Sequence, residues 1–136
     1  MVSKKNKFVK EERLCSKKRL TALFQNGSSF LLYPFRITCL SSPIVSQSHP
    51  VQVVIAVPKK RFKSSVDRNL IKRRIKEAYR LNKEIHLYPF LNQDHQKIVL
   101  AISYIGKEIH DFDFITQKLL GTFKVLLKNV HHDQVL

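Results

Sequence analysis

Between Lys59 and Arg80 two patterns are superimposed. Ten of these 22 residues are Lys or Arg, and apolar residues recur beneath the charges at helical spacing. A basic tail would carry the first pattern without the second. Together they demand a folded helix with one face against a core and a cationic face held at fixed geometry, the arrangement with which proteins grip structured nucleic acid.

On a wheel of about 100° per residue, Ile71, Ile75, Ala78 and Tyr79 share one arc, which should pack on a sheet. Arg68, Lys72, Lys76 and Arg80 lie four apart in a single row beside it, and Asn69 and Arg73 widen that row outward. Like charges at this spacing repel by roughly 0.2–0.5 kcal/mol per pair in an isolated helix, and only Glu77 inside the helix offsets them. An ordinary solvated face mixes signs, so the row is expected to meet a polyanion. Lys59, Lys60 and Lys63 add cations in the loop entering the helix. Ser64 or Ser65 can cap it, Asp67 suits its dipole, and it should run to about Asn82. A helix-turn-helix would need a partner helix just upstream, where Val51–Val57 reads as a strand instead.

The net charge of +15 is concentrated. Residues 1–20 carry +6, residues 21–57 carry +1, residues 58–80 carry +8, and residues 81–136 sum to zero. Such blocks favour a polyanionic partner and speed encounter with it. A length of 136 residues with 43% apolar composition suits one domain with a real core. Cys15 and Cys39 make no disulfide framework, and the scattered histidines give no zinc spacing. With no apolar run of about 20 residues and no secretory signal after the basic N-terminus, the expected location is cytoplasmic.

Residues 1–12 are polar and lysine-rich and should form a flexible basic N-terminus, followed by one domain over 13–130 and a tail at 131–136. Ser16 can cap a short helix to about Gln25, with Leu20, Leu23 and Phe24 on one face and Gly27 as its stop. Residues 35–40 alternate at period two and read as a strand, with Phe35, Ile37 and Cys39 facing the core and Arg36 and Thr38 the other side. Residues 41–50 read as a polar, proline-punctuated loop. Val51–Val57 is β-branched and nearly all apolar, as expected of a central strand covered on both faces. Residues 98–104 read as a second buried strand, and Asp111 or Asp113 opens an amphipathic final helix. The sum is an α+β layer of helices against a sheet.

The run Arg68-Asn69-Leu70-Ile71-Lys72-Arg73-Arg74-Ile75-Lys76-Glu77-Ala78-Tyr79, entered from a basic loop, resembles the signature of the protein subunit of bacterial ribonuclease P. Arg13-Leu14 and Leu23-Phe24 upstream, and the strand and amphipathic helix downstream, extend the resemblance to roughly residues 8–128. Leu70 and Lys76 stand where the family usually has arginine, and the loop is one residue longer than in familiar members. The resemblance implies a small single-domain α/β sandwich of order αβββαβα, like domain 2 of ribosomal protein S5, with a left-handed βαβ crossover. It implies a subunit of the enzyme that removes the 5′ leader from precursor tRNA, in which the RNA subunit is the catalyst and uses magnesium. The protein would supply no catalytic residue and bind no cofactor of its own. It would bind ribonuclease P RNA through Lys59, Lys60, Lys63, Arg68, Asn69, Lys72, Arg73, Lys76 and Arg80. The precursor tRNA leader would lie between the first helix and the sheet, at Leu20, Phe24, Arg36 and Thr38. A ribosomal or other structural RNA-binding protein is the alternative, since basic helices on small sheets recur there. A protein-only nuclease would need a catalytic constellation that the sequence does not display.

Overall fold

The computed structural model describes residues 7–41, 49–93 and 95–135, with side chains up to Val130. Its elements are α1 (Lys17–Asn26), β1 (Ser28–Leu32), β2 (Phe35–Ser41), β3 (Val51–Ala56), α2 (Ser65–His86), α3 (Tyr88–Gln93), β4 (Ile98–Tyr104) and α4 (Phe112–Val135). The four strands form one sheet in the order β1-β2-β4-β3, antiparallel except for the parallel pair β3 and β4 that α2 connects. α2 and α4 cover one face, where Phe35, Ile37, Leu100 and Ile102 from the strands meet Ile71, Ile75, Tyr79, Leu119 and Phe123 from the helices. α1 lies on the other face and seals a smaller cluster of Leu14, Leu23, Val99 and Ala101. The sheet is therefore sandwiched, which explains why β4 is buried on both faces.

Caps fall where the side chains can make them. Ser16 Oγ accepts from the Arg19 amide, Ser64 Oγ from the Asp67 amide, and Asp111 Oδ1 from the Phe114 amide. Gly27 ends α1 for reasons of space: its φ is −75°, and a Cβ there would stand 2.4 Å from the Leu23 carbonyl oxygen and 3.0 Å from that of Cys39. α1 can therefore sit down on β2 only with glycine at the junction.

Several expectations are corrected. β3 is an edge strand, and β2 and β4 are the inner ones. Val51 and Val53 of β3 join the core under α2 and α4, Val54 packs against the smaller cluster on the other face, and Leu14 reaches the outer edge of β3 by donating to the Val53 carbonyl at 2.9 Å. A nearly continuous apolar run thus records coverage, not a place in the middle of the sheet. Of the N-terminal stretch expected to be flexible, residues 1–6 lie outside the described residues, but residues 7–12 are docked. Glu12 is 2% exposed and pairs with Lys83, itself fully buried on α2. Both Lys83 Nζ and the Tyr88 hydroxyl donate to Glu12 Oε2, and Phe8 packs edge-on against Tyr79 at 5.6 Å. Burial holds the Tyr79 and Tyr88 hydroxyls far above the usual tyrosine range. The expected C-terminal tail is also absent as such: α4 continues through Val135. α2 runs past Asn82 to His86, and α3, with Tyr88 and Leu91 buried, is an additional element. Within the loop expected at 41–50, residues 42–48 lie outside the described residues.

Candidate nucleic-acid interface

The wheel arc of Ile71, Ile75, Ala78 and Tyr79 is completely buried. That anchoring fixes the rotation of α2 and turns Asn69, Lys72, Arg73 and Lys76 outward together, all exposed. The like-charge repulsion along the row is therefore tolerated because packing of the opposite face, not local propensity, holds the helix.

The loop ahead of α2 is built rather than loose. Phe62 is buried with its ring 5.8 Å from that of Tyr104, and the amides of Arg61 and Phe62 both turn back to the Pro58 carbonyl. Arg68 Nη1 donates to the Phe62 carbonyl at 2.8 Å and the Lys63 carbonyl at 2.9 Å. Lys59, Lys60, Arg61 and Lys63 point outward from this clamped turn, all exposed. Arg68 was expected as an RNA contact, but its guanidinium is engaged in tying the loop to the helix, a bridging geometry an ammonium cannot copy. Arg68→Lys should therefore raise the rate at which trypsin cleaves after Lys59 to Lys63 several-fold, with thermal unfolding nearly unchanged. Equal cleavage rates in the two proteins would show that the clamp does not hold the loop.

Arg80, the last member of the row, is turned to an ion pair with Glu77 one turn back. The hydrogen bond from Arg80 holds the Glu77 carboxyl below its usual range. The row thus delivers its charge from its middle. Arg74 is not part of it either: it donates to the His110 carbonyl at 2.6 Å, joining α2 to the segment before α4.

On the opposite face of the sheet the expected alternation holds for β2. Phe35 and Ile37 are fully buried, Cys39 packs against the same core, and Arg36 is exposed on the other side. Phe24 is 58% exposed on α1 and is not a core residue. Leu20 is half-buried in the cluster beneath that helix. Thr38 departs from expectation: it is 6% exposed, and its hydroxyl is 3.0 Å from Ser29 Oγ. The close seat of α1 at Gly27 closes over it. The open rung is the next one, where Leu31, Arg36, Ser103 and Ala56 stand side by side across all four strands. Leu31 and Ala56 are exposed and Ser103 half-exposed. Of these four, only Arg36 is legible in the sequence, because cross-strand register is invisible until the strands are paired.

A groove of about 440 Å³ runs between the N-terminal segment, the outer edge of β3 and the cationic face of α2. Asn69, Lys72, Arg73 and Lys76 form one wall, and Leu14, Val53, Val54 and Ile55 are among its apolar residues.

Comparison with known proteins gives a consistent answer. A family model described as Ribonuclease P matches residues 8–125. A ribonuclease P protein component from Porphyromonas gingivalis is 35% identical over 125 residues, covering 89% of this chain and 87% of that protein. One from Chlorobium phaeobacteroides is 31% identical over 125 residues, covering 84% of each. Among solved structures, the RNase P protein from Thermotoga maritima superposes with a TM-score of 0.65 at 22% identity, covering 83% of this chain and 96% of that one. A Staphylococcus aureus RNase P protein mutant superposes with a TM-score of 0.69 at 19% identity, covering 86% and 89%. These structural likenesses carry the fold, and the sequence matches carry the family.

Proposed function

This chain belongs to the ribonuclease P protein family, and from that premise we propose how its surface divides between two RNAs. It is the protein component of ribonuclease P, and ribonuclease P RNA is its partner. The exposed arc Asn69, Lys72, Arg73 and Lys76, with the clamped loop cations Lys59, Lys60 and Lys63, binds that RNA. The observation that carries this reading is that the buried seam of α2 orients these groups on one side, with no carboxylate among them. Cations and an amide suit phosphates; a divalent ion would need oxygen ligands. In this reading magnesium is held by the RNA, which performs the cleavage, and the protein contributes binding and not a chemical step.

The 5′ leader of precursor tRNA lies on the other face of the sheet. Phe24 on α1 offers an exposed ring for stacking, and Arg36 on β2 an exposed guanidinium, the combination that holds single strands without reading sequence. No helix among the described residues is long and apolar enough to cross a membrane. We place the protein in the cytoplasm with its RNA substrates.

The deciding experiment is cleavage of a precursor tRNA at low magnesium by the matching RNA. Adding this protein should raise the cleavage rate strongly, and protein without RNA should cut nothing. Failure of the protein to improve cleavage would remove the assignment.

A further inference from the structure

We propose that the groove beside α2 is a pocket for one unpaired nucleobase of ribonuclease P RNA. This rests on the reading that the RNA lies along α2, and goes beyond it by assigning a site that takes a base rather than a phosphate.

The groove differs in kind from the rest of the cationic surface. A phosphate-binding face needs only outward charges, whereas here the charges stand at the rim of an apolar hollow. Lys72, Arg73 and Lys76 rise on one side, and Arg13 is a further lining cation; none of the eleven lining residues is acidic. Leu14 and Val53 are buried at its base, while Val54 and Ile55 remain partly exposed. Apolar surface left open beneath cations suits a flat ring whose flanking phosphates are negative, and no simple anion would use it.

The edge of β3 adds polar recognition. The Val53 carbonyl points outward, because it accepts from the Leu14 amide at 2.9 Å. Ile55 is two residues further along, so its N–H and C=O emerge from the same edge, toward the groove it lines. Asn69 on the facing wall carries an amide with both donors and an acceptor. A base lying between them can use its Watson–Crick edge while its faces rest on the apolar residues, as unpaired bases do in protein–RNA complexes. The Glu12–Lys83 pair, by docking the N-terminal segment, forms the third side.

Cys15 lines the groove and is exposed, so it can be enlarged without disturbing the core. Cys15→Trp should weaken binding of ribonuclease P RNA, measured without substrate, about tenfold. The loss should be the same at every salt concentration, because a displaced base releases no counterions. Affinity within twofold of the original protein, or a loss accompanied by a shallower salt slope, overturns the pocket. If Lys72→Ala/Arg73→Ala lowers the slope while Cys15→Trp is silent, the pocket alone fails. If neither has an effect, the placement of RNA along α2 fails with it. A benzophenone amino acid at position 15 should cross-link to one unpaired nucleotide of the RNA. Removing that base should reproduce the tenfold loss in the original protein and add nothing to Cys15→Trp. Cross-linking only to the precursor tRNA leader would also overturn the proposal.

Discussion

Lys72→Ala/Arg73→Ala should weaken binding to ribonuclease P RNA about 30-fold at 0.15 M salt, if each phosphate contact contributes roughly 0.9 to the log–log salt slope. The slope itself should fall by about 1.8. Both side chains are exposed on a helix whose opposite face is fully buried, so the fold should not change. Lys124→Ala/Lys128→Ala, which removes the same charge from α4, should move affinity far less, because generic attraction is screened over about 8 Å at physiological salt. The measurement is a dissociation constant at several salt concentrations for each protein. If the two pairs prove equivalent, the protein binds RNA through its net charge and not through this helix.

Glu12→Ala should destabilise the fold by about 3–5 kcal/mol, the usual cost of leaving one member of a buried ion pair without its partner. For a domain of this size that corresponds to roughly 10–20 °C in thermal unfolding temperature. Lys83 is fully buried, and its ammonium also lies 5.4 Å from the Phe8 ring centroid and 5.3 Å from that of Tyr88. Once Glu12 is gone, the charge has little access to water. Glu12→Leu/Lys83→Met should recover most of the loss, since an apolar pair of similar volume replaces the desolvated charges. Thermal unfolding of the three proteins tests this. A cost below about 1 kcal/mol for Glu12→Ala, as for an exposed pair, would mean that Lys83 reaches solvent. If the groove takes a base as proposed, Glu12→Ala should also weaken RNA binding, because Glu12 holds the segment that bears Phe8, Arg13, Leu14 and Cys15 along the groove.

The parts of the interface legible in the sequence were those with a period. Four apolar residues at helical spacing placed the seam of α2, and the same wheel placed Lys72, Arg73 and Lys76 on its outside. Alternation in β2 separated Arg36 from Phe35 and Ile37. What could not be read depended on partners distant in the chain. Arg68 looked like one more cation until the loop folded back and offered it two carbonyls. Thr38 had the right parity for an open face, but the close seat of α1 at Gly27 covered it. The docking of residues 7–12 was hidden because their polar composition matches that of a free tail, and Glu12 finds its partner 71 residues away.

By itself, the sequence determined most of the helices and strands, though it placed neither β1 nor α3, together with the side of α2 that carries charge and the polyanionic nature of the partner. These follow from local periodicity and from basic residues that far outnumber the carboxylates near them. Tertiary structure alone decided that β3 lies at an edge and that Arg68 orders the loop. It also decided that Arg80 leaves the row and that a groove opens beside α2. Each of these results from which groups meet across long chain separations, where burial and hydrogen-bond geometry, rather than residue type, set what a side chain does.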